Sequence, residues 1–346
     1  MSPLPPPDPL PPVGRRPAPT LEFVIPCYNE QDALPQLLDR LEALDAALLR
    51  DGLIREPAGI VLVDDGSADR TWPLIVQAGA RLSVTGVRLS RNHGHQNALL
   101  AGLGLSRAEV VVSMDADLQD DPQVVADMLD AWAQGAEIVY GVRRSRGTDT
   151  AFKRLTAQVY YRLMGRMGVD LVPDHADFRL MSRKALNALA TFPEANLFLR
   201  GMVPMIGFRT ARVAYDRGAR VAGESKYNLR RMAGLAVEGM TSFSVRPLRI
   251  ITATGFAVAL AAFGYAVWSV LAWSWGRTVP GWASIVVPMY LLGGLHLIAL
   301  GVIGEYVGKT YQEAKRRPRF IVDEVVGPGA TTDARAGAAA PETRSA

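Results

Sequence analysis

Cysteine and histidine are scarce in this sequence. Cys27 is the single cysteine, so no disulfide can form within the chain and no cysteine-based zinc cluster is available. The four histidines show no spacing typical of a metal site. The single thiol fits a reducing compartment. The net charge is only +4, and basic residues lie near apolar segments, which favours anionic lipid over nucleic acid as a partner.

The N-terminal segment lacks the apolar core of a secretory signal peptide. Residues 1–19 are instead rich in proline and have little periodic apolar signal, which predicts a disordered tail. The folded domain that follows is therefore expected to stay in the cytoplasm.

Two long stretches near the C-terminus lack charged residues. They run from Ile250 to Trp275 and from Trp282 to Gly304. A helix of the first length would reach about 39 Å, which exceeds the ~30 Å hydrocarbon core of a bilayer. Two helices buried in a soluble protein are the alternative, but two consecutive uncharged runs of this length favour a transmembrane hairpin.

Basic residues flank this predicted hairpin at its two outer ends. They are Arg230, Arg231, Arg246 and Arg249 before it, and Lys309, Lys315, Arg316, Arg317 and Arg319 after it. The connecting turn contains only Arg277. The positive-inside rule therefore predicts that both ends of the hairpin face the cytoplasm.

Between the tail and the hairpin, short apolar runs alternate with helical stretches. The runs are Leu21–Ile25, Ile60–Val63, Val84–Leu89, Val110–Met114 and Ile138–Tyr140. This alternation predicts an α/β domain with a mostly parallel sheet and flanking helices. In such sheets ligands bind beyond the carboxyl ends of the strands.

Carboxylates cluster directly after the run Val110–Met114. Asp115 and Asp117 should point to the same side of an extended chain, because side chains alternate along it. Two hard oxygen ligands suit Mg²⁺ or Mn²⁺, which would bridge the diphosphate of a bound nucleotide. The alternative is an acidic loop that caps a helix starting at Pro122, and Asp120 or Asp121 is expected to do only that.

Two further strand ends carry polar groups. Asp64-Asp65-Gly66-Ser67 follows the second run, and Pro26-Cys27-Tyr28-Asn29-Glu30 follows the first. A carboxylate there can accept hydrogen bonds from a nucleobase or ribose, and a tyrosine can offer an aromatic surface. Asp-Gly is also common in tight turns, so each signal alone is weak. Combined with the Asp-x-Asp pair, they indicate a nucleotide site.

These motifs resemble those of glycosyltransferase family 2. The matching segments are Pro-x-Tyr-Asn-Glu, Val-Asp-Asp-Gly-Ser, Arg-Asn-His-Gly-His-Gln at 91–96, Asp-Ala-Asp-Leu-Gln, Asp-Phe-Arg-Leu at 177–180 and Gly-Glu-Ser-Lys-Tyr at 223–227. The whole set, from about Leu21 to Arg319, is similar to polyprenyl-phosphate glycosyltransferases related to dolichol-phosphate mannose synthase. Within that group it is most similar to bacterial members with two membrane helices that use UDP-glucose. The resemblance implies a GT-A fold, an inverting mechanism and a divalent metal.

The resemblance also assigns roles to individual residues. The implied metal and diphosphate ligands are Asp115, Asp117 and Gln119, and the implied nucleotide pocket comprises Pro26, Tyr28, Glu30, Asp65 and Asp115. The implied catalytic residues are Asp117, Asp177 and Arg143. The expected phosphate and acceptor ligands are Arg143, Arg154, Arg220, Ser225 and Lys226, with solvated surface charge as the alternative for the arginines. One departure is Ala176, where relatives usually have glycine. His95 and Gln96 stay without a role, since facing the pocket and capping a helix fit equally.

The expected organisation follows from these observations. The segments are a disordered tail (1–19), a cytoplasmic GT-A domain (20–228), an amphipathic juxtamembrane segment (229–249), two transmembrane helices (250–275 and 282–306), a basic cytoplasmic segment (307–326) and a second disordered tail (327–346). The expected location is the inner (cytoplasmic) membrane, as a multi-pass protein with its catalytic domain in the cytoplasm.

The resemblance implies transfer of a hexose, with glucose from UDP-glucose as first choice, to polyprenyl (undecaprenyl) phosphate. The expected partners are a nucleotide-sugar, polyprenyl phosphate and membrane lipid, without nucleic acid, and a homo-oligomer is left open. Transfer of mannose or a modified sugar, a polysaccharide synthase and a non-catalytic nucleotide-binding scaffold are the alternatives. The Gln-x-x-Arg-Trp motif of polysaccharide synthases is absent from the sequence. The resemblance makes Asp177 a candidate general base, but an acceptor phosphate is already largely ionised near neutral pH, which favours an orienting role for Asp177.

Overall fold

A computed structural model of the protein describes residues 14–143, 175–194, 199–215, 241, 244–275 and 281–328. These residues belong to two compact units. The first contains the α/β domain together with the chain from Arg317 onward, and the second contains the two long apolar helices.

The first unit is built on an eight-stranded sheet. Its strands are β1 (Leu21–Cys27), β2 (Gly59–Asp64), β3 (Val84–Leu89), β4 (Val110–Ser113), β5 (Ile138–Arg143), β6 (His175–Ser182), β7 (Thr210–Tyr215) and β8 (Val322–Val326). The strand order is β7-β5-β6-β4-β1-β2-β3-β8. Only β6 and β8 run opposite to the others. The prediction of a mostly parallel sheet is therefore confirmed, and its first five strands lie on the five apolar runs.

Helices follow the strands along the first unit. They are α1 (Leu34–Arg50), α2 (Thr71–Ala78), α3 (His95–Leu105), α4 (Val124–Ala133), α5 (Arg183–Ala190) and α6 (Leu199–Met205). In α1 the buried leucines at 34, 37, 38, 41, 44 and 48 recur every three or four residues, which places one apolar stripe on the core.

Helix α4 corrects one expectation about the acidic loop. It begins at Val124 and not at Pro122, two residues later than the sequence pattern indicated. Asp121 does accept a hydrogen bond from the backbone N–H of Gln123, at 3.0 Å. Asp120 instead accepts one from the hydroxyl of Tyr215 on β7. Asp120 therefore joins the acidic loop to a neighbouring strand.

Helix α3 packs very closely on the sheet. A Cβ atom at Gly102 would lie 2.5 Å from Cγ1 of Val24 and 2.9 Å from Cγ2 of Val63, so only glycine fits there without rearrangement. The helix begins at His95, whose side chain reaches the carboxyl edge of the parallel strands. Close packing thus fixes a polar side chain at the edge where ligands bind.

The second unit contains helices α7 (Arg246–Ser274) and α8 (Trp282–Lys315). Both are long and apolar enough to cross a membrane, and their most apolar windows are not buried within the structure. The hydroxyl of Tyr306 on α8 donates a hydrogen bond to the carbonyl of Ser244, just before α7. Helix α7 begins before the predicted span and α8 continues beyond it. The predicted segment boundaries remain predictions.

Candidate active site

A cavity of about 710 Å³ lies at the carboxyl ends of β1, β2 and β4, in the first unit. Six carboxylates line it, namely Glu30, Asp32, Asp65, Asp115, Asp117 and Asp177. The other charged or titratable groups of its lining include His95 and Arg200. The four residues predicted to form the nucleotide pocket beside Asp115 all lie in this lining, namely Pro26, Tyr28, Glu30 and Asp65.

Asp65 fixes the loop that leads into α3. Its carboxylate accepts hydrogen bonds from the backbone N–H groups of His93 and Gly94, at 2.7 and 2.9 Å. Burial raises the pKa of Asp65, although these two bonds oppose the rise. Gly66 has a φ of +71°, and a Cβ there would lie 2.6 Å from the backbone carbon of Arg91. The Asp-Gly pair therefore brings two chain segments into direct contact.

Hydrogen bonds also join the turns after β1 and β2. Asn29 adopts a left-handed conformation, with a φ of 56°. Its N–H donates to the hydroxyl of Ser67 at 3.0 Å, and its side-chain oxygen accepts from the N–H of Ala68 at 2.9 Å. Tyr28 precedes it and leaves its side chain half exposed at the cavity. Hydrogen bonds between the two turns thus hold the backbone beside Tyr28, which offers an aromatic surface at the cavity wall.

Asp115 and Asp117 lie together on the cavity wall, as the Asp-x-Asp pattern indicated. The Oδ1 atom of Asp115 is buried without a hydrogen-bond partner. Burial raises the pKa of Asp115 to about 6; neighbouring carboxylates add to this rise and His95 opposes it. The backbone N–H of Gln119 donates to Asp117 at 3.2 Å, across Leu118 with its φ of 59°. The side chain of Gln119 is not among those that line the cavity.

These residues fit a hard divalent cation. The buried Oδ1 atom of Asp115 has no hydrogen-bond donor and lies among like charges, so a bound cation would stabilise its ionised form. Within the described ranges, no group of three or more His, Cys, Asp or Glu side chains is arranged to hold a metal. Mg²⁺ is typically bound by one or two carboxylates together with substrate phosphates, so an Asp115 and Asp117 pair matches that mode.

Asp177, at the start of β6, lies at the centre of a charged network. Its carboxylate contacts Nη2 of Arg179 and lies 3.2 Å from both Nη2 of Arg200 and Nε2 of His95. The hydroxyl of Ser113 on β4 donates to its backbone carbonyl at 2.6 Å. Burial alone would raise the pKa of Asp177. The hydrogen bond from His95 and the two arginine charges outweigh burial and hold that pKa well below its usual range.

His95 bridges Asp177 and the predicted metal ligands. Its Nε2 atom lies 3.5 Å from Oδ1 of Asp115 in addition to its contact with Asp177. Burial would lower the pKa of His95, but the hydrogen bond with Asp177 and the charge of Asp115 produce a net rise. Sequence reasoning included His95 in a family motif without giving it a role. It missed Arg200 altogether, because Arg200 lies in an apolar helix outside every motif.

Several predicted site residues cannot be placed in the cavity. Arg154, Arg220, Ser225 and Lys226 lie outside the described residues. Arg143 ends β5, and only its backbone is described. Their predicted roles in phosphate and acceptor binding remain predictions.

Replacing Asp115 by asparagine should stabilise the fold while it removes a site carboxylate. Because the pKa of Asp115 rises to about 6 on folding, its ionised form destabilises the protein fully above pH 6, and the cost disappears as the pH falls towards 4. In EDTA we expect Asp115→Asn to raise the free energy of unfolding by about 1 kcal/mol at pH 8, which allows for screening of a partly exposed side chain.

Thermal unfolding of the detergent-purified protein at pH 8 and pH 5 would measure this effect. Asp323→Asn, at an exposed position on β8, is the matched control and should change stability little. An Asp115→Asn protein no more stable than the wild type at pH 8 would contradict the assigned electrostatics.

Comparison with known proteins gives this cavity a chemical context. The sequence matches Glycosyl transferase family 2 over residues 22–190. It is 48% identical over 312 residues to the uncharacterized glycosyltransferase YkoT of Bacillus subtilis, covering 88% of this chain and 91% of that protein. It is 36% identical over 308 residues to the prophage bactoprenol glucosyl transferase homolog of Escherichia coli, covering 88% and 99%. A solved mannosyltransferase from Pyrobaculum calidifontis has a TM-score of 0.47 at 19% identity, covering 88% of this chain and 89% of that one. The family match and the two sequence relatives show that the chain belongs to glycosyl transferase family 2 and is a glycosyltransferase.

Proposed function

We propose that this glycosyltransferase transfers glucose, with inversion, from a nucleotide-sugar to a polyprenyl phosphate at the cytoplasmic face of the membrane. UDP-glucose is the first choice of donor. The observation that carries the proposal is that Asp115 and Asp117 share one cavity with the predicted nucleotide pocket. Relatives named bactoprenol glucosyl transferase, 36% identical over 87% of this chain, support glucose and a polyprenyl acceptor.

The nucleoside would occupy the wall formed by the ends of β1 and β2. Tyr28 offers an aromatic surface for the base, and Pro26 and Glu30 border the same space. Asp65 uses both carboxylate oxygens to hold backbone N–H groups, but a carboxylate has about four acceptor sites, so it can still bind a ribose or base.

Asp115 and Asp117 would hold Mg²⁺ or Mn²⁺, with Gln119 as a predicted third member. When bound, such a cation supplies the positive charge that stabilises a leaving nucleoside diphosphate. The two carboxylates themselves fix where that charge sits, and Asp117 is oriented by the N–H of Gln119.

The acceptor would need orientation more than deprotonation. A phosphate monoester has a second pKa near 6 and is largely dianionic at neutral pH. Asp177 has a pKa held well below its usual range, chiefly because contacts with His95, Arg179 and Arg200 outweigh its burial, so it is a weak proton acceptor. Asp177 would therefore act by holding His95 and Arg200 beside the reacting groups, and not as a general base.

Membrane association supports a lipid acceptor. Helices α7 and α8 are long and apolar enough to span a bilayer. Basic residues precede α7 and follow α8, which favours a hairpin with both ends in the cytoplasm and thus a multi-pass protein with a cytoplasmic catalytic domain. The anionic head groups of the cytoplasmic leaflet would attract these residues.

A product assay tests the proposed function. Purified protein incubated with Mn²⁺, undecaprenyl phosphate and a panel of nucleotide-sugars should yield a hexosyl-phosphoryl lipid from UDP-glucose, detected by lipid extraction and mass spectrometry. Asp117→Asn should lower turnover by about a hundredfold or more while unfolding like the wild type, because it removes one ligand charge.

Asp121→Asn is the control for that assay, since Asp121 is exposed and lies outside the cavity lining. It should retain near wild-type turnover. Absence of a glycolipid with every donor would overturn the proposed function, and a fully active Asp117→Asn protein would overturn the role of that aspartate.

Membrane topology can be tested with single cysteines introduced at Gly281 and Thr310. Native Cys27 is buried and should not react. An impermeant maleimide added to intact cells should label the Gly281→Cys protein only, because that position lies in the predicted external turn. Labelling of Thr310→Cys from outside the cell would contradict the proposed orientation.

A further inference from the structure

The cavity has a charge balance that does not suit its proposed substrates. Six of the side chains that line it are carboxylates, and Arg200 is the one arginine or lysine among the lining residues that the structure describes. A nucleotide-sugar and a polyprenyl phosphate are both polyanions. The guanidinium of Arg200 is therefore a candidate for binding one of these anions, a role that the sequence motifs do not assign to it.

Two arginines bind Asp177, but they differ in exposure. The side chain of Arg179 is 1% exposed and does not line the cavity, whereas that of Arg200 is 48% exposed and does. Arg200 contacts Asp177 through Nη2 at 3.2 Å and through Nε at 3.5 Å. A guanidinium has five N–H donors, so contact with one carboxylate can orient it towards a second anion.

Gln96 fixes the helix that carries Arg200. Its side-chain oxygen accepts a hydrogen bond from the backbone N–H of Leu199 at 2.9 Å. Gln96 directly follows His95, the other ligand of Asp177 within the cavity lining. The first turn of α3 thus contacts Asp177 through His95 and contacts Leu199, the residue before Arg200, through Gln96.

The sheet order separates Arg200 from the nucleotide pocket. Asp65 follows β2, Tyr28 follows β1, Asp115 follows β4, and Asp177 is the third residue of β6; these strands are neighbours in that order. With about 4.8 Å between adjacent strands, Asp177 lies roughly 14 Å along the edge from the β2 end. Arg200 contacts Asp177 and therefore lies near the β6 end of this edge, whereas Tyr28 and Asp65 follow β1 and β2.

We propose that Arg200 binds the phosphate of the acceptor, and that Gln96 positions it by anchoring the start of α6. This inference rests on the proposed function, because that function supplies the phosphate acceptor. The diphosphate of the donor has the same chemistry, but the position of Arg200 beside Asp177 favours the acceptor. Asp177 orients the guanidinium, and Arg179 neutralises the buried side of the same carboxylate.

Steady-state kinetics of Arg200→Gln test the assignment. We expect the KM for polyprenyl phosphate to rise roughly ten- to a hundredfold, the loss expected for a charge-assisted hydrogen bond, while the KM for the nucleotide-sugar changes less than about twofold. Arg200→Lys keeps the charge without the planar fork, so its KM for polyprenyl phosphate should lie between those of the wild type and Arg200→Gln. Arg40→Gln, at an exposed position on α1, should match the wild type.

The positioning role of Gln96 has a separate readout. Gln96→Ala should raise the acceptor KM. Gln96→Glu keeps an oxygen that can accept the hydrogen bond from Leu199, so its acceptor KM should be close to that of the wild type. Combined with Arg200→Gln, the Gln96→Ala change should add little, because its effect acts through Arg200. Full additivity of the two changes would overturn the positioning role.

The remaining outcomes distinguish this inference from the function on which it rests. A wild-type protein that forms no glycolipid overturns the proposed function and the acceptor role with it. An active wild type whose Arg200→Gln variant keeps its acceptor KM, or loses donor affinity equally, overturns the Arg200 assignment alone. Should Arg200→Gln fail to fold, Arg200→Lys and Gln96→Ala give the same test, and an unchanged acceptor KM in both would overturn it.

Discussion

The site depends on one constraint, which is that several carboxylates are crowded at one edge of a sheet and lose part of their hydration. Such charges repel each other, so each must be compensated by another group of the protein or by a bound ligand. Asp177 is compensated within the protein, by two arginines and a histidine. Asp115 is compensated only in part, by His95 at 3.5 Å, and burial among like charges raises its pKa to about 6. This contrast supports the roles that we propose, with Asp177 as a positioning residue and Asp115 as a metal ligand.

Backbone geometry explains why these charges stay close together despite repulsion. Asp65 holds the loop before α3 through two N–H groups, and Gly66 lets that loop approach the turn after β2. Gly102 brings α3 itself against the sheet. His95 then reaches Asp177 from the helix start. Packing of α3 on the sheet and these hydrogen bonds therefore offset the repulsion between the carboxylates.

Sequence patterns predicted the features that depend on local chemistry. Apolar runs predicted the first five strands, and polar residues at the ends of β1, β2 and β4 predicted side chains that share one cavity, including Asp115 and Asp117. Features that depend on long-range pairing were not predicted. Strand β8, for example, follows α8 in the sequence yet pairs with β3. Arg200 was missed for the same reason, because its partner Asp177 lies on another element 23 residues earlier.

We propose that Asp115 and Asp117 bind a cation jointly with a nucleoside diphosphate. Titration of the purified protein with Mn²⁺, followed by electron paramagnetic resonance with and without saturating UDP, tests this directly. Two carboxylates give few ligands, so we expect Mn²⁺ to bind at least about tenfold more tightly when UDP is present, and UDP to gain affinity by the same factor. Mn²⁺ affinity that is unchanged by UDP, or unchanged by Asp115→Asn, would contradict joint binding of cation and diphosphate at this pair.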